Sequence, residues 1–550
     1  NFQEDPKPAV AHRTSPTNIG LYLLSAVAAH DFGWTGLAQT VTRLEATFVS
    51  LRQMQRFKGH FYNWYGTLDL QPLAPAYVSS VDSGNLAGHL IALANACDEW
   101  AAAAPMTTRL PSQAAAGVAD NLQLARRTMA DLPAASGESG RRLTATLDEL
   151  EAGLMRKPGE LPAPSMARVA DRAARSARDM LNVSAGAPVP DLVYWIEAAA
   201  RALVEHGRDP RGAEGAQAEL AARLKALAHE ARAMALSMDF AFLIDPEREL
   251  LAIGYSLVDN RLDPSCYDLL ASEARLASLF AIAKGDTSTR HWFRLGRTAT
   301  PVGTGSALLS WSGSMFEYLM PSLVMRAPAG SLLEQTNRLV VRRQQAYAGI
   351  MDIPWGVSES AYNARDIEFT YQYSNFGVPG LGLKRGLAEN VVIAPYATGL
   401  AAMVDAQAAS RNYALLEQLG ASGRYGFYEA LDYTRARLPD EADLAIVRCF
   451  MAHHQGMTIV AVANALQNGR MRERFHREPM IQACELLLQE RVPRDVAVAH
   501  PRAEEVAVSS TRPVTSASAV RRLAGPDANA PITHLLSNGR YAVMLTAAGC

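Results

Sequence analysis

IGLYLLSAVAAH (Ile19–His30), LAQTVTRLEATFVSLRQMQRF (Leu37–Phe57) and LAGHLIALANACDEW (Leu86–Trp100) read as three helices, with the aromatic loop GHFYNWYGTLDLQPLAPAYVSSVDSGN (Gly59–Asn85) between the last two. The first follows Ser15-Pro16-Thr17-Asn18, which supplies a helix cap. The second repeats apolar residues at spacings of three and four and ends before Lys58-Gly59. Long helix, long decorated loop, long helix then recurs down the chain. SEARLASLFAIAKG (Ser272–Gly285), a run after Gly313, SLLEQTNRLVVRRQQAYAGI (Ser331–Ile350), ATGLAAMVDAQAASRNYALLEQLG (Ala397–Gly420) and EADLAIVRCFMAHHQGMTIVAVANAL (Glu441–Leu466) continue it. The expectation is an all-α core between about residues 12 and 495, with functional loops at the helix ends.

The 550 residues, 49% hydrophobic, are enough to bury a large core. Basic and acidic residues, 53 and 55, nearly cancel, so charge offers no footprint for nucleic acid or anionic lipid. No apolar run reaches membrane length and no targeting segment stands out, so the piece reads as soluble. Cys97, Cys266, Cys449, Cys484 and Cys550 are scattered without a CxxC pair or a zinc spacing. No cofactor or metal is expected.

Composition divides the chain. Residues 1–106 read as the first part of the helical core with an N-terminal extension. Residues 107–238, rich in Ala, Arg, Leu and Glu, read as helical scaffold or excursion, as in RRLTATLDELEAGLMR (Arg141–Arg156) and GAQAELAARLKALAHEARAMALSM (Gly215–Met238). Aromatic residues return in 239–495, the remainder of the core. Residues 496–550 begin with linker composition and end in THLLSNGRYAVMLTAAGC (Thr533–Cys550), which alternates like a strand. An end inside that pattern implies that part of another domain begins here.

Three glutamates stand inside aromatic and glycine-rich runs: Glu317 in SWSGSMFEYLMP (Ser310–Pro321), Glu359 in IPWGVSESAYN (Ile353–Asn363) and Glu429 in GRYGFYEALDY (Gly423–Tyr433). Cleaving a glycosidic bond needs a proton donor and a second carboxylate acting as nucleophile or base, and flat rings pack on sugar faces. A turn at Gly356-Val357-Ser358 would expose Glu359 beside Trp355 and Tyr362. Phe427 and Tyr428 would desolvate Glu429 and raise its pKa towards that of a general acid. Asp432, three positions on, would orient Glu429 if the segment is helical; the plainer alternative is an aromatic helix start with Glu429 capping its N-terminus. Glu317 could bind sugar or act in proton transfer, or pair with Arg326 to hold the scaffold.

Asp82 could bind a hydroxyl or cap the helix from Leu86, and capping is the stronger reading. Asn63, Trp64 and Tyr65 would make a sugar platform, or else pack the core. Arg365 and Tyr373 extend the polar aromatic surface after Glu359. His453 and His454 diverge on a helix and suit hydrogen bonding better than metal binding. Gly377, Gly380 and Gly382 match neither a P-loop nor GxGxxG.

At AHRTSPTNIGLYLL, GHFYNWYGTLDLQPL, VSSVDSGNLAGHL, SWSGSMFEYLMP, PWGVSESAYNARD, TYQYSNFGVPGLGLKRG, VIAPYAT, GRYGFYEALDYT and MAHHQGM the chain resembles the central region of bacterial cyclic β-1,2-glucan synthases. The resemblance implies a glucoamylase-like (α/α)6 toroid acting on β-1,2-glucan by retaining transglycosylation. It would cleave an internal linkage and join the released reducing side to the chain's own non-reducing end, closing a ring. Glu359 is then the nucleophile and Glu429 the acid/base, with Glu317 in reserve; Trp64, Trp355, Tyr362, Tyr373, Phe427 and Tyr428 contact sugar. It also implies glycosyltransferase and phosphorylase-like domains in the same full-length polypeptide, with this unit on the cytoplasmic side of the bacterial inner membrane. An endo-β-1,2-glucanase and a non-catalytic glucan-binding module are the alternatives.

Overall fold

The computed structural model describes residues 1–103, 111–130, 132, 137–155, 163–183, 189–210, 213–492, 499, 533–537 and 541–546. Helices come in pairs, the first of each pair on an inner ring and the second outside it. Pair one is α1 (Pro16–Asp31) and α2 (Leu37–Gln53). Inner helix α3 (Ser80–Ala101) is followed by α4 (Ser112–Ala130), α5 (Glu138–Met155), α6 (Ala163–Val183), α7 (Val189–Arg208) and α8 (Glu214–Leu236), the last packing outside α3. The remaining pairs are α9 (Arg275–Lys284) with α10 (Arg290–Arg294), α11 (Met315–Leu319) with α12 (Leu332–Met351), α13 (Pro395–Ala402) with α14 (Ala406–Gln418), and α15 (Ala452–Leu466) with α16 (Arg470–His476); short α17 (Pro479–Gln482) follows.

Helix α1 packs on α3, α3 on α9, α11 on α13, α13 on α15, and α15 returns to α1. This is an (α/α)6 toroid. Its sequence logic is burial: outer helix α2 buries one stripe, Leu37, Val41, Leu44, Phe48 and Leu51, whereas an inner helix is covered on every side. From Ser80 to Cys97 in α3, Asp82 alone is not fully buried. Small residues allow the close inner crossings; a Cβ on Gly84 would stand 2.5 Å from Ala277 Cα of α9.

The link between α9 and α11 is chemical. Arg275, 2% exposed, donates to the carbonyl of Glu317 (2.9 Å), to that of Tyr318, and to Ser272 O (3.1 Å). No carboxylate is among these partners, and burial pushes the guanidinium pKa down to about 9.

Helices α4 to α7 build a bundle with a hydrophobic cluster of their own, including Leu122, Leu147, Ala173 and Ile196. The helical stretch 107–238 is therefore divided, because Leu220, Leu224 and Leu227 of α8 belong to the main core. Short strands decorate the helix ends. Phe2–Gln3 pairs with Cys449–Phe450, and Ser360–Arg365 forms a hairpin with Tyr371–Ser374. Ala430–Asp432, expected to be helical if Asp432 were to orient Glu429, is a strand between Val392–Ile393 and Ala445–Val447; Asp432 pairs instead with Arg437 (2.7 Å). Residues 506–550 are a separate unit, in which Thr533–Ser537 pairs antiparallel with Ala542–Thr546. Most of the expected linker lies outside the described residues.

Replacing Arg275 by Met leaves buried carbonyls of Glu317 and Tyr318 without their donor. The expected cost is about 3 kcal/mol or more, measured by chemical denaturation.

Candidate active site

Four of the six inner helices contribute their N-terminal ends to the walls of a single cavity of about 380 Å³. Ser15 and Thr17 come from α1, Asp82 and Asn85 from α3, Phe316 from α11, and Met451 and His453 from the start of α15. Glu273, two residues before α9, joins them, with Trp64, Glu359 and Tyr373 from the loops. Helix N-termini carry partial positive charge, which favours a concentration of carboxylates at this end of the toroid.

Glu359 follows the turn through Gly356, whose φ of 130° is one that side-chain-bearing residues rarely adopt. Gln344 fixes that turn with two 2.8 Å bonds to Val357 N and O. Tyr396 of α13 donates to the backbone oxygen of Glu359 (2.9 Å), and Tyr373 donates to its Oε1 (2.7 Å). Burial pushes the Glu359 pKa up to about 7, opposed by the Tyr373 hydrogen bond and assisted by the charges of Glu317 and Glu429. Glu273 is held well above the usual carboxylate range by burial, then by Glu359, Glu317 and Asp82. Glu273 and Glu359 therefore titrate as an interacting set.

Glu317 has a different surrounding. Its carboxylate accepts from Ser310 Oγ (2.7 Å), Ser312 Oγ (2.7 Å), Ser312 N (3.0 Å) and Ser314 N (3.2 Å), closing a capping box at α11. These serines explain the SWSGS motif, and Arg326 pairs with Glu485 instead (3.7 Å). Glu429 is 2% exposed and lies outside the cleft wall, lining instead a small enclosed cavity of about 90 Å³ with Tyr413, Phe427 and Thr458. Its Oε1 accepts from Ala361 N (3.2 Å) and meets His454 Nδ1 at 2.8 Å, while Oε2 has no partner. Burial pushes its pKa up to about 7 as well.

Asp82 is not the cap of α3; Ser79 is. Asp82 Oδ1 accepts from Thr17 Oγ1 (2.6 Å), and burial raises its pKa. With its amide oriented for hydrogen bonding, Asn63 donates to Asp82 Oδ2 (3.0 Å) and accepts from Trp64 Nε1 (3.3 Å). Trp64 is also covered by the Arg13 guanidinium at 5.4 Å. His453 faces the cleft and His454 lies behind it, both with pKa values depressed by burial.

The other aromatic candidates stand off the cleft wall. Tyr65 is fully buried, its hydroxyl donating to Gln55 O (2.5 Å), and Trp355 is held in the core by Asn412. Tyr362 lies under the Arg437 guanidinium and meets Phe376 edge-on, Arg365 bonds Asp5 and Tyr371, and Phe427 packs on Tyr413. Tyr428 donates to Glu4 (2.8 Å). Glu273 is the residue that aromatic framing missed. Its signal is positional, an acid just ahead of an apolar helix, close to the first-turn places of Asp82 and Glu317. Among the described residues no group of three His, Cys, Asp or Glu side chains is arranged to hold a metal ion.

The fold is the glucoamylase-like (α/α)6 toroid, with carboxyl groups gathered around one cleft. The family model described as "Putative glucoamylase" matches residues 266–479. The fold is shared with an endo-β-1,2-glucanase from Chitinophaga pinensis (12% identity, TM-score 0.51, 87% of this chain and 88% of that one). It is shared also with an endo-β-1,2-glucanase from Talaromyces funiculosus (10%, 0.52, 90% and 87%). Over all of its length the chain is 48% identical to the cyclic β-(1,2)-glucan synthase NdvB of Rhizobium meliloti (strain 1021), of which it spans 20%. The similarity to that synthase runs the whole length of this chain, and the family-model match falls inside it.

A carboxyl whose pKa is raised in the fold contributes stability that falls as pH rises. The stability Glu429 contributes is full below its unfolded value of 4.5 and is lost as pH rises through about 7. A shift of this size corresponds to roughly 3 kcal/mol. Glu429→Gln, which cannot ionise, is expected to flatten the fall in denaturation midpoint between about pH 5 and 8.

Proposed function

We propose that the chain carries out retaining transglycosylation of linear β-1,2-glucan, closing cyclic β-1,2-glucan by intramolecular transfer. The observation that carries this reading is that Glu359 and Glu273 face one cleft with Asp82, Trp64 and Phe316 around them. The similarity to a cyclic β-(1,2)-glucan synthase supplies the substrate and favours a sugar hydroxyl over water as acceptor.

Glu359 is the nucleophile. Tyr373 orients its Oε1, and its carboxylate attacks the anomeric carbon of an internal residue. Glu273 is the acid/base, the role that sequence reasoning assigned to Glu429. Its raised pKa keeps a proton for the leaving glycosidic oxygen, and as a carboxylate it then takes the proton of the attacking hydroxyl at the glucan's own non-reducing end. That attack displaces Glu359 and closes the ring with net retention. Asp82, Asn63, Trp64, Tyr373 and His453 bind the sugars. In the full-length polypeptide, glycosyltransferase and phosphorylase-like domains would make and trim the chain on the cytoplasmic side of the inner membrane. No helix among the described residues is long and apolar enough to cross a membrane.

Incubation with linear β-1,2-glucan is expected to yield rings separable from linear oligosaccharides; linear products alone at high substrate concentration overturn cyclisation. Glu359→Gln and Glu273→Gln are each expected to lower kcat by about 10³-fold or more. Azide should rescue Glu359→Ala with inversion, whereas the loss in Glu273→Gln should depend on the leaving group.

A further inference from the structure

Behind the cleft an unbroken line of hydrogen-bonding groups joins two of the carboxylates. Tyr373 donates to Glu359 Oε1 (2.7 Å), and the Tyr373 oxygen stands 3.3 Å from His454 Nε2. On the far side of the imidazole, Nδ1 meets Glu429 Oε1 at 2.8 Å. Tyr396 stacks on His454 with ring centres 3.7 Å apart and planes within 10°, and the same tyrosine donates to Glu359 O. One side chain thus fixes the imidazole plane and the backbone of Glu359.

Each contact needs one proton, and the distribution follows from the donors. Tyr373 spends its hydrogen on Glu359, so its oxygen must accept from His454 Nε2–H. Burial keeps the imidazole neutral, which leaves Nδ1 bare and requires Glu429 to be the donor at 2.8 Å. A neutral carboxyl also tolerates the unpartnered Oε2 far better than a carboxylate would. One negative charge is therefore shared over the line, resting on Glu359 with the proton stored on Glu429. Moving three protons one bond each, from Glu429 to Nδ1, Nε2 to Tyr373 and Tyr373 to Glu359, transfers the charge to Glu429 and leaves both middle groups neutral.

We propose that Glu429, His454 and Tyr373 form a positioning relay that keeps Glu359 ionised and aligned by holding the shared proton at the far end. This rests on Glu359 being the nucleophile. The other titratable groups facing Glu359 are Glu273 ahead of α9, Glu317 in α11, Lys384, Tyr396 in α13 and His453 in α15. None of them bridges Glu359 to Glu429.

The relay is tested on linear β-1,2-glucan with the whole chain. Glu429→Ala removes the donor to Nδ1 and is expected to lower kcat about 100-fold with KM changed less than about threefold. Glu429→Gln, whose amide N–H replaces the carboxyl O–H, should recover kcat to within about tenfold of the parent. Tyr373→Phe deletes the bond that favours ionised Glu359, so the acidic limb of kcat/KM should move up by about one pH unit, a shift that packing loss would not cause. An unmoved acidic limb in Tyr373→Phe, or Glu429→Gln as inactive as Glu429→Ala while still folded by its denaturation midpoint, overturns the relay. Full activity in Glu359→Gln instead overturns the nucleophile assignment itself.

Discussion

Arg275 is a buried cation whose hydrogen bonds go to backbone carbonyls, and the geometry of the site depends on it. It spans the one place where consecutive inner helices do not lie face to face. Its side chain fixes α11, and with it the serine loop that holds Glu317, while its backbone begins α9 two residues after Glu273. A single guanidinium therefore sets the separation of two acidic segments. A salt bridge there would place yet another carboxylate in a region already crowded with them; carbonyl acceptors avoid that.

That crowding is the central electrostatic fact of the molecule. Asp82, Glu273, Glu317, Glu359 and Glu429 gather at one end of the toroid, and the structure handles each differently. Glu317 is held by a cage of serine and backbone donors. Asp82 is held by Thr17 and Asn63. Glu273 and Glu359 keep faces open to the cleft, where desolvation and mutual repulsion raise both carboxyl pKa values, that of Glu273 the further. Glu429 is removed to an inner layer behind His454.

The all-α core was legible because apolar residues repeat at three and four between long aromatic loops, whereas the toroid followed only from the family resemblance. Glu359 was legible from its turn. Aromatic framing was a poorer guide elsewhere, because Tyr65, Trp355 and Tyr428 use their rings and polar atoms inside the fold. Sequence gives the company a residue keeps along the chain, whereas the cleft is assembled from residues as far apart as Ser15 and His453. Glu273 therefore passed as an ordinary helix-start acid. A helix at GFYEALDY was the condition for Asp432 to orient Glu429, and strand pairing with Val392–Ile393 and Ala445–Val447 removes that condition.

The pairing of Phe2–Gln3 with Cys449–Phe450 carries a kinetic consequence. Those residues lie nearly at opposite ends of the toroid sequence, and Asp31 likewise meets Arg474 through a buried ion pair. Contacts of such separation cost the most loop-closure entropy and form late in folding. Met451 and His453, which complete the cleft wall, sit immediately beyond that junction. A chain still being synthesised thus has no finished cleft until its last inner helix has emerged, so the cleft is completed in one step with closure of the ring.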